Sequence, residues 1–183
     1  SGGSLFNPPT QSDIYVVGDQ VEDNTEFKYT LTSVGPSTSL VDADVTIAFD
    51  RQGDSWRTSF NIINGTGTSS NFEMMLSRQL TKQGQTNPEV RAFLEPVESS
   101  ILAIRDMDYG GRDKYLVVGA PWNTIFYSSS SATIRITAQE PVETPAGTFD
   151  AFLLSYKLNE KTSRIWIVKD LPLPANAEVY DPS

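Results

Sequence analysis

Between Ile14 and Tyr180 the chain repeats one pattern. Short runs of aromatic and β-branched residues alternate with polar ones, and clusters of Gly, Asp, Asn and Ser bound each run. Alternate side chains of an extended strand point to opposite faces, so a period of two commits such a run to a sheet with one apolar and one wet face. The clearest runs are 26–34, with Phe27, Tyr29 and Leu31 on one face; 43–49, with Val45, Ile47 and Phe49; and 56–63, with Trp56, Thr58, Phe60 and Ile62. Further strands are expected at 68–80, 115–118, 131–138, 148–158 and 163–168, with a last short piece at 177–180. Asn64-Gly65, directly after the Trp56 run, reads as a tight hairpin turn with positive φ at both positions. With Thr66 it also spells an N-glycosylation acceptor, and both readings put it on the surface.

One segment breaks the period. After Asn87-Pro88, the residues Val90, Phe93, Leu94, Val97, Ile101 and Ile104 recur at spacings of three and four, which places them on one face of a helix. Pro96 falls inside it, where proline loses a hydrogen bond and clashes with the preceding turn. The helix is therefore expected to kink or to restart there, with 97–104 as the firmer half. A helix between two sets of antiparallel strands gives an α+β fold, mostly β, read as a curved antiparallel sheet or half-barrel wrapped around one central helix. At 183 residues the chain can bury a core without disulfides or a structural metal. Residues 1–12, small, polar and Pro-rich, read as a linker or a frayed terminus, and 13–183 as a single β-rich domain.

The chain has no His and no Cys, which removes the thiol nucleophile, the usual imidazole base and the commonest zinc and copper ligands. It contains no Gly-x-Ser-x-Gly, Ser-x-x-Lys or Walker loop, so the reading is of a protein that is not an enzyme and uses no cofactor. Its net charge of −9 repels phosphate backbones, which argues against nucleic acid as a partner. No apolar run approaches the roughly 18 residues a membrane-spanning helix needs.

Three carboxylates, Asp106, Asp108 and Asp113, share a glycine-containing loop that would suit a hard cation, but the ligand series and closing Glu of a calcium hand are missing. A solvated helix-to-strand turn is the expectation there, with no metal. Glu140 and Glu143, the nearest thing to paired acids, read as a solvated hairpin rim.

Aromatic residues are the better ligand candidates. Gly119-Ala120-Pro121-Trp122 departs from the strand pattern and reads as a turn presenting Trp122 at the mouth of whatever the sheet encloses. Together with Phe93, Val97, Ile101 and Ile104 from the helix, and Trp166, it makes up the expected ligand-binding set, lining an apolar site between sheet and helix.

The run Glu140-Pro141-Val142-Glu143-Thr144-Pro145-Ala146-Gly147-Thr148-Phe149-Asp150-Ala151-Phe152 is followed by a strand, by Arg164-Ile165-Trp166-Ile167-Val168 and by Leu171-Pro172-Leu173-Pro174. This layout resembles the end of the DUF3108-like extracytoplasmic proteins. It departs from them at Ala175-Asn176-Ala177, where that group commonly has an apolar residue and a Lys. The resemblance covers only the stretch from Glu140 onward. It implies a secreted or membrane-anchored protein with a half-open barrel around a helix, similar to lipoprotein-carrier folds that shelter acyl chains.

The Pro-rich lead, acidic composition, Ser/Thr/Asn-rich loops and lack of Cys agree with an archaeal cell-surface protein, tethered to the membrane in its full-length form. Two functions compete. One is a non-catalytic extracytoplasmic binding domain holding a lipid or other apolar small molecule. The other is a structural or adhesive domain that meets cell-surface proteins through its edge strands.

Overall fold

The computed structural model describes residues 9–32, 40, 42–107 and 113–180. In chain order the strands are β1 (Ile14–Tyr15), β2 (Thr25–Leu31), β3 (Ala43–Gln52), β4 (Ser55–Ile63), β5 (Ser69–Leu76) and β6 (Lys82–Gln83). The single α-helix among the described residues, α1 (Pro88–Glu98), comes next. It is followed by β7 (Lys114–Tyr115), β8 (Pro121–Tyr127), β9 (Ser130–Thr144), β10 (Gly147–Leu158), β11 (Lys161–Ile167) and β12 (Asn176–Glu178). The expected class, α+β and mostly β, is the one observed.

Backbone packing divides the chain into two compact units. A helix unit comprises 17–106 and 170–173, and a long-hairpin unit takes in the described parts of 1–16, 107–169 and 174–183.

The helix unit is built on a five-stranded antiparallel meander in the order β2-β3-β4-β5-β6. Its inward face follows the alternation in the sequence: Ala43, Val45, Ile47 and Phe49 of β3 and Thr58, Phe60 and Ile62 of β4 are all buried. Phe60 stacks on Phe72 across the β4–β5 pair, with ring centroids 5.2 Å apart, so the strands are tied by aromatic contact as well as by their ladder.

The β4–β5 connection corrects the expected turn. Asn64 N–H donates to Thr68 O at 2.7 Å and Gly67 N–H to Asn64 O at 2.9 Å, and the positive φ (+90°) lies at Gly67. This is the three-residue hairpin closed by a left-handed glycine rather than a two-residue Asn-Gly turn. Asn64 is only 6% exposed, so it is no surface acceptor for a glycan. The β5–β6 connection repeats the same bonds between Ser77, Leu80 and Thr81, but here the left-handed residue is Leu80, at φ +66° and fully buried. Holding a leucine there costs on the order of 1 to 3 kcal/mol, and burial of its side chain offsets the strain. Gly18 (φ +87°) lies so close to the Arg78 carbonyl that a Cβ would sit 1.8 Å from its oxygen, which ties the 18–21 turn to the β5–β6 loop.

The α1 helix starts where Asn87 caps it, its Oδ1 accepting from Glu89 N–H at 3.0 Å, with Pro88 in the first turn where no N–H is needed. It ends at Glu98, which reverses the expectation that 97–104 is its firmer half. Pro96 sits in the last turn, so the bond it cannot make is nearly the final one. Its carbonyl accepts from the Ser99 and Ser100 hydroxyls at 3.3 and 2.5 Å, which finishes the helix. Ile101 lies in the turn that follows and Ile104 in a short 3-10 helix, Ala103–Met107.

The long-hairpin unit has a second five-stranded antiparallel meander, β12-β11-β10-β9-β8, beside a small β1–β7 pair. Of the expected 115–118 strand only Tyr115 is paired, together with the preceding Lys114. The hairpins close as their residues dictate. Pro145-Ala146 joins β9 to β10, with Gly147 at φ +133°, and Asn159-Glu160, both at positive φ, joins β10 to β11. Ser128-Ser129 makes the two-residue turn between β8 and β9.

The β8 strand itself escapes the sequence reading. A register shift between Pro121 and Asn123 leaves Trp122 as the extra residue of a bulge, which masks the period of two. Phe126, 78% exposed, and Tyr127 stand near its far end, and β8 is an edge of the sheet.

Candidate functional site

The six residues expected to line a ligand site fall in both units. Trp122 does not stand at a mouth: it is 2% exposed, donates its indole N–H to Tyr115 O at 3.0 Å, and stacks on Tyr15 with centroids 6.0 Å apart. Trp166, half-buried, donates to Glu140 Oε1 at 2.8 Å. In the helix unit Val97, Ile101 and Ile104 are buried and Phe93 is half-buried. A side chain lining a void large enough for a ligand would show accessible surface. Trp122, Val97, Ile101 and Ile104 show almost none, so they serve as packed core.

Glu140 and Glu143 lie three apart on β9 and therefore point to opposite faces of the sheet, which separates them as an acid pair. Of the Asp106–Asp113 loop, residues 108–112 lie outside the described residues. No cluster of three metal-binding side chains occurs among the described residues, and none of their helices is long and apolar enough to cross a membrane.

A cavity of about 350 Å³ opens instead beside α1. One wall is the helix stripe Arg91, Leu94, Glu95 and Glu98, whose spacing of three and four places them one above another. The other wall is Lys82 of β6 and the connecting residues Gly84, Gln85 and Thr86. Asn87 fixes where the helix begins and the β5–β6 hairpin fixes Lys82, so both walls rest on regular structure.

The charges of this site divide into satisfied and unsatisfied groups. Glu98 is held by Arg105, whose Nη1 donates to Leu80 O at 3.2 Å and whose Nε lies 3.8 Å from Asp106 Oδ1. Partial burial holds the Asp106 carboxyl above the usual carboxylate range; Arg105 pulls it back down and the charge of Glu98 adds to the rise. Lys82, Arg91 and Glu95 have no ion pair with any described residue. The Thr86 hydroxyl is shielded from solvent with no hydrogen-bond partner, a state that costs about 1 to 3 kcal/mol for a polar group.

No family model, no curated protein and no solved structure matches the chain. The site therefore stands on its own chemistry.

None of the six residues named from sequence lines this cavity. The signal that could have found it was present: Arg91, Glu95 and Glu98 recur at helical spacing beside the apolar stripe. A charged helix face ordinarily meets only water, and nothing in the sequence brings Lys82 and Thr86 across to it.

Proposed function

We propose that this chain is a non-catalytic binding module that works outside the cytoplasm and holds a small charged molecule in the cavity beside α1. One observation carries the proposal. Two cations, Lys82 and Arg91, border a single cavity of about 350 Å³ without ion-pair partners among the described residues. Unpaired charges on a concave surface are poised to trade water for a ligand, and a volume near 300 Å³ is within the range of small-molecule sites. The mostly polar lining favours a charged guest over the apolar passenger that the half-barrel resemblance implies. The extracytoplasmic setting rests on that resemblance and on the acidic, cysteine-free composition. Recovery of the native protein from the cytosolic fraction of its source cells would refute it.

A thermal-shift screen tests the binding reading. Small charged metabolites are expected to raise the melting temperature saturably, Arg91→Gln is expected to move that rise to about tenfold higher ligand concentration, and a fatty acid is expected to have no effect. Stabilisation by the fatty acid alone would overturn the proposal. Failure of every small probe, with crosslinked oligomers that vanish on Phe126→Ser, would instead move the function to the exposed β8 edge.

A further inference from the structure

We propose that the ligand of the α1 cavity carries carboxylate and ammonium groups together, and that its best match is an acidic amino acid. The inference rests on the cavity being the ligand site and goes on to name the chemistry of its guest.

It follows from which charges around the cavity are already spent. Glu98 and Arg105 neutralise one another, and Arg105 is further engaged by Leu80 O and Asp106. What remains open is two cations, Lys82 and Arg91, and one carboxylate, Glu95. A simple dicarboxylate would satisfy the cations but would stand against Glu95. A simple amine would satisfy Glu95 but would face Lys82 and Arg91. A molecule with two carboxylates and one ammonium pairs with all three.

Geometry agrees with this assignment. Arg91 and Glu95 are separated by four residues on one helix, so they stand one turn apart on the same face, yet they make no ion pair with each other. Lys82 borders the same cavity from β6. A guest in the cavity would meet a guanidinium and a carboxylate from α1 and an ammonium from β6. Leu94, the one large apolar residue bordering the cavity, is itself buried, so the walls offer no apolar surface to a greasy tail.

Three probes separate the components: L-glutamate, glutarate, which lacks only the ammonium, and γ-aminobutyrate, which lacks one carboxylate. Calorimetric titration of the full chain at physiological salt is expected to show glutamate binding about tenfold tighter than either analogue. Glu95→Gln should remove the advantage of glutamate over glutarate without weakening glutarate. Arg91→Gln should weaken both about tenfold. Arg91 and Glu95 are exposed, so both variants should fold, and circular dichroism with an unchanged melting temperature verifies this. Equal affinity for glutamate and glutarate, with both lost in Arg91→Gln, would overturn the amino-acid assignment while leaving the cavity as an anion site. Absence of binding by all three probes, or binding indifferent to Arg91→Gln, would overturn both the assignment and the site.

Discussion

Tyr15 shows what a single buried side chain does to the whole molecule's response to pH. Its ring lies against Trp122 and is almost completely enclosed, and this desolvation pushes the phenol well above its ordinary range. A folded-state pKa above the unfolded value means that folding favours the neutral form. The contribution is fully present below the unfolded pKa of about 10 and is lost as pH rises beyond it. Wild type is therefore expected to lose up to about 1.4 kcal/mol per pH unit more than Tyr15→Phe above about pH 10, read as the difference of their unfolding free energies. Parallel curves for the two proteins would show that the phenol stays ionisable in the fold.

The partner of Tyr15 was misplaced by the sequence for a definite reason. Pro121 and the preceding Gly119-Ala120 look like a turn, and only the bulge at Trp122, a property of pairing with β9, carries its side chain into the core. At Asn64 the dipeptide Asn-Gly had the right chemistry for a turn, but a third loop residue, Gly67, took the left-handed position.

At the scale of elements, the β3–β4 and β9–β10–β11 strands were legible because one half-buried face writes a period of two into the chain. The helix was legible in kind but shifted toward the carboxyl end, since apolar spacing continues through Ile101 and Ile104 after the helix has ended. Those residues stay buried in a turn and a 3-10 helix, where the same spacing serves packing of a different backbone. Polar contacts across elements left no such trace. The Glu98–Arg105 pair joins the end of α1 to the 3-10 helix, and Arg105, with its side chain 12% exposed, goes on to Leu80 in the β5–β6 loop. Removing Glu98 leaves a mostly buried guanidinium short of its nearest counter-charge, so Glu98→Ala should destabilise the protein by about 2 to 3 kcal/mol in urea unfolding. A loss below about 0.5 kcal/mol would place this pair with ordinary surface ion pairs.

At the scale of the molecule, two five-stranded meanders each carry their own core, and the cavity belongs to the helix unit alone. Mostly β architecture and the limits set by charge and by missing His and Cys could be read from residue types. The candidate site could not, because it depends on which charges find partners after folding. Ligand binding is placed in the cavity beside α1 and not among the aromatic and aliphatic residues of the cores. Amide and indole chemical shifts, followed while L-glutamate is titrated into the labelled full chain, measure this most directly. Perturbations are expected to concentrate between Lys82 and Glu98, with the Trp122 and Trp166 indole signals unmoved. Shifts centred on those two indoles, with residues 82–98 silent, would contradict this placement.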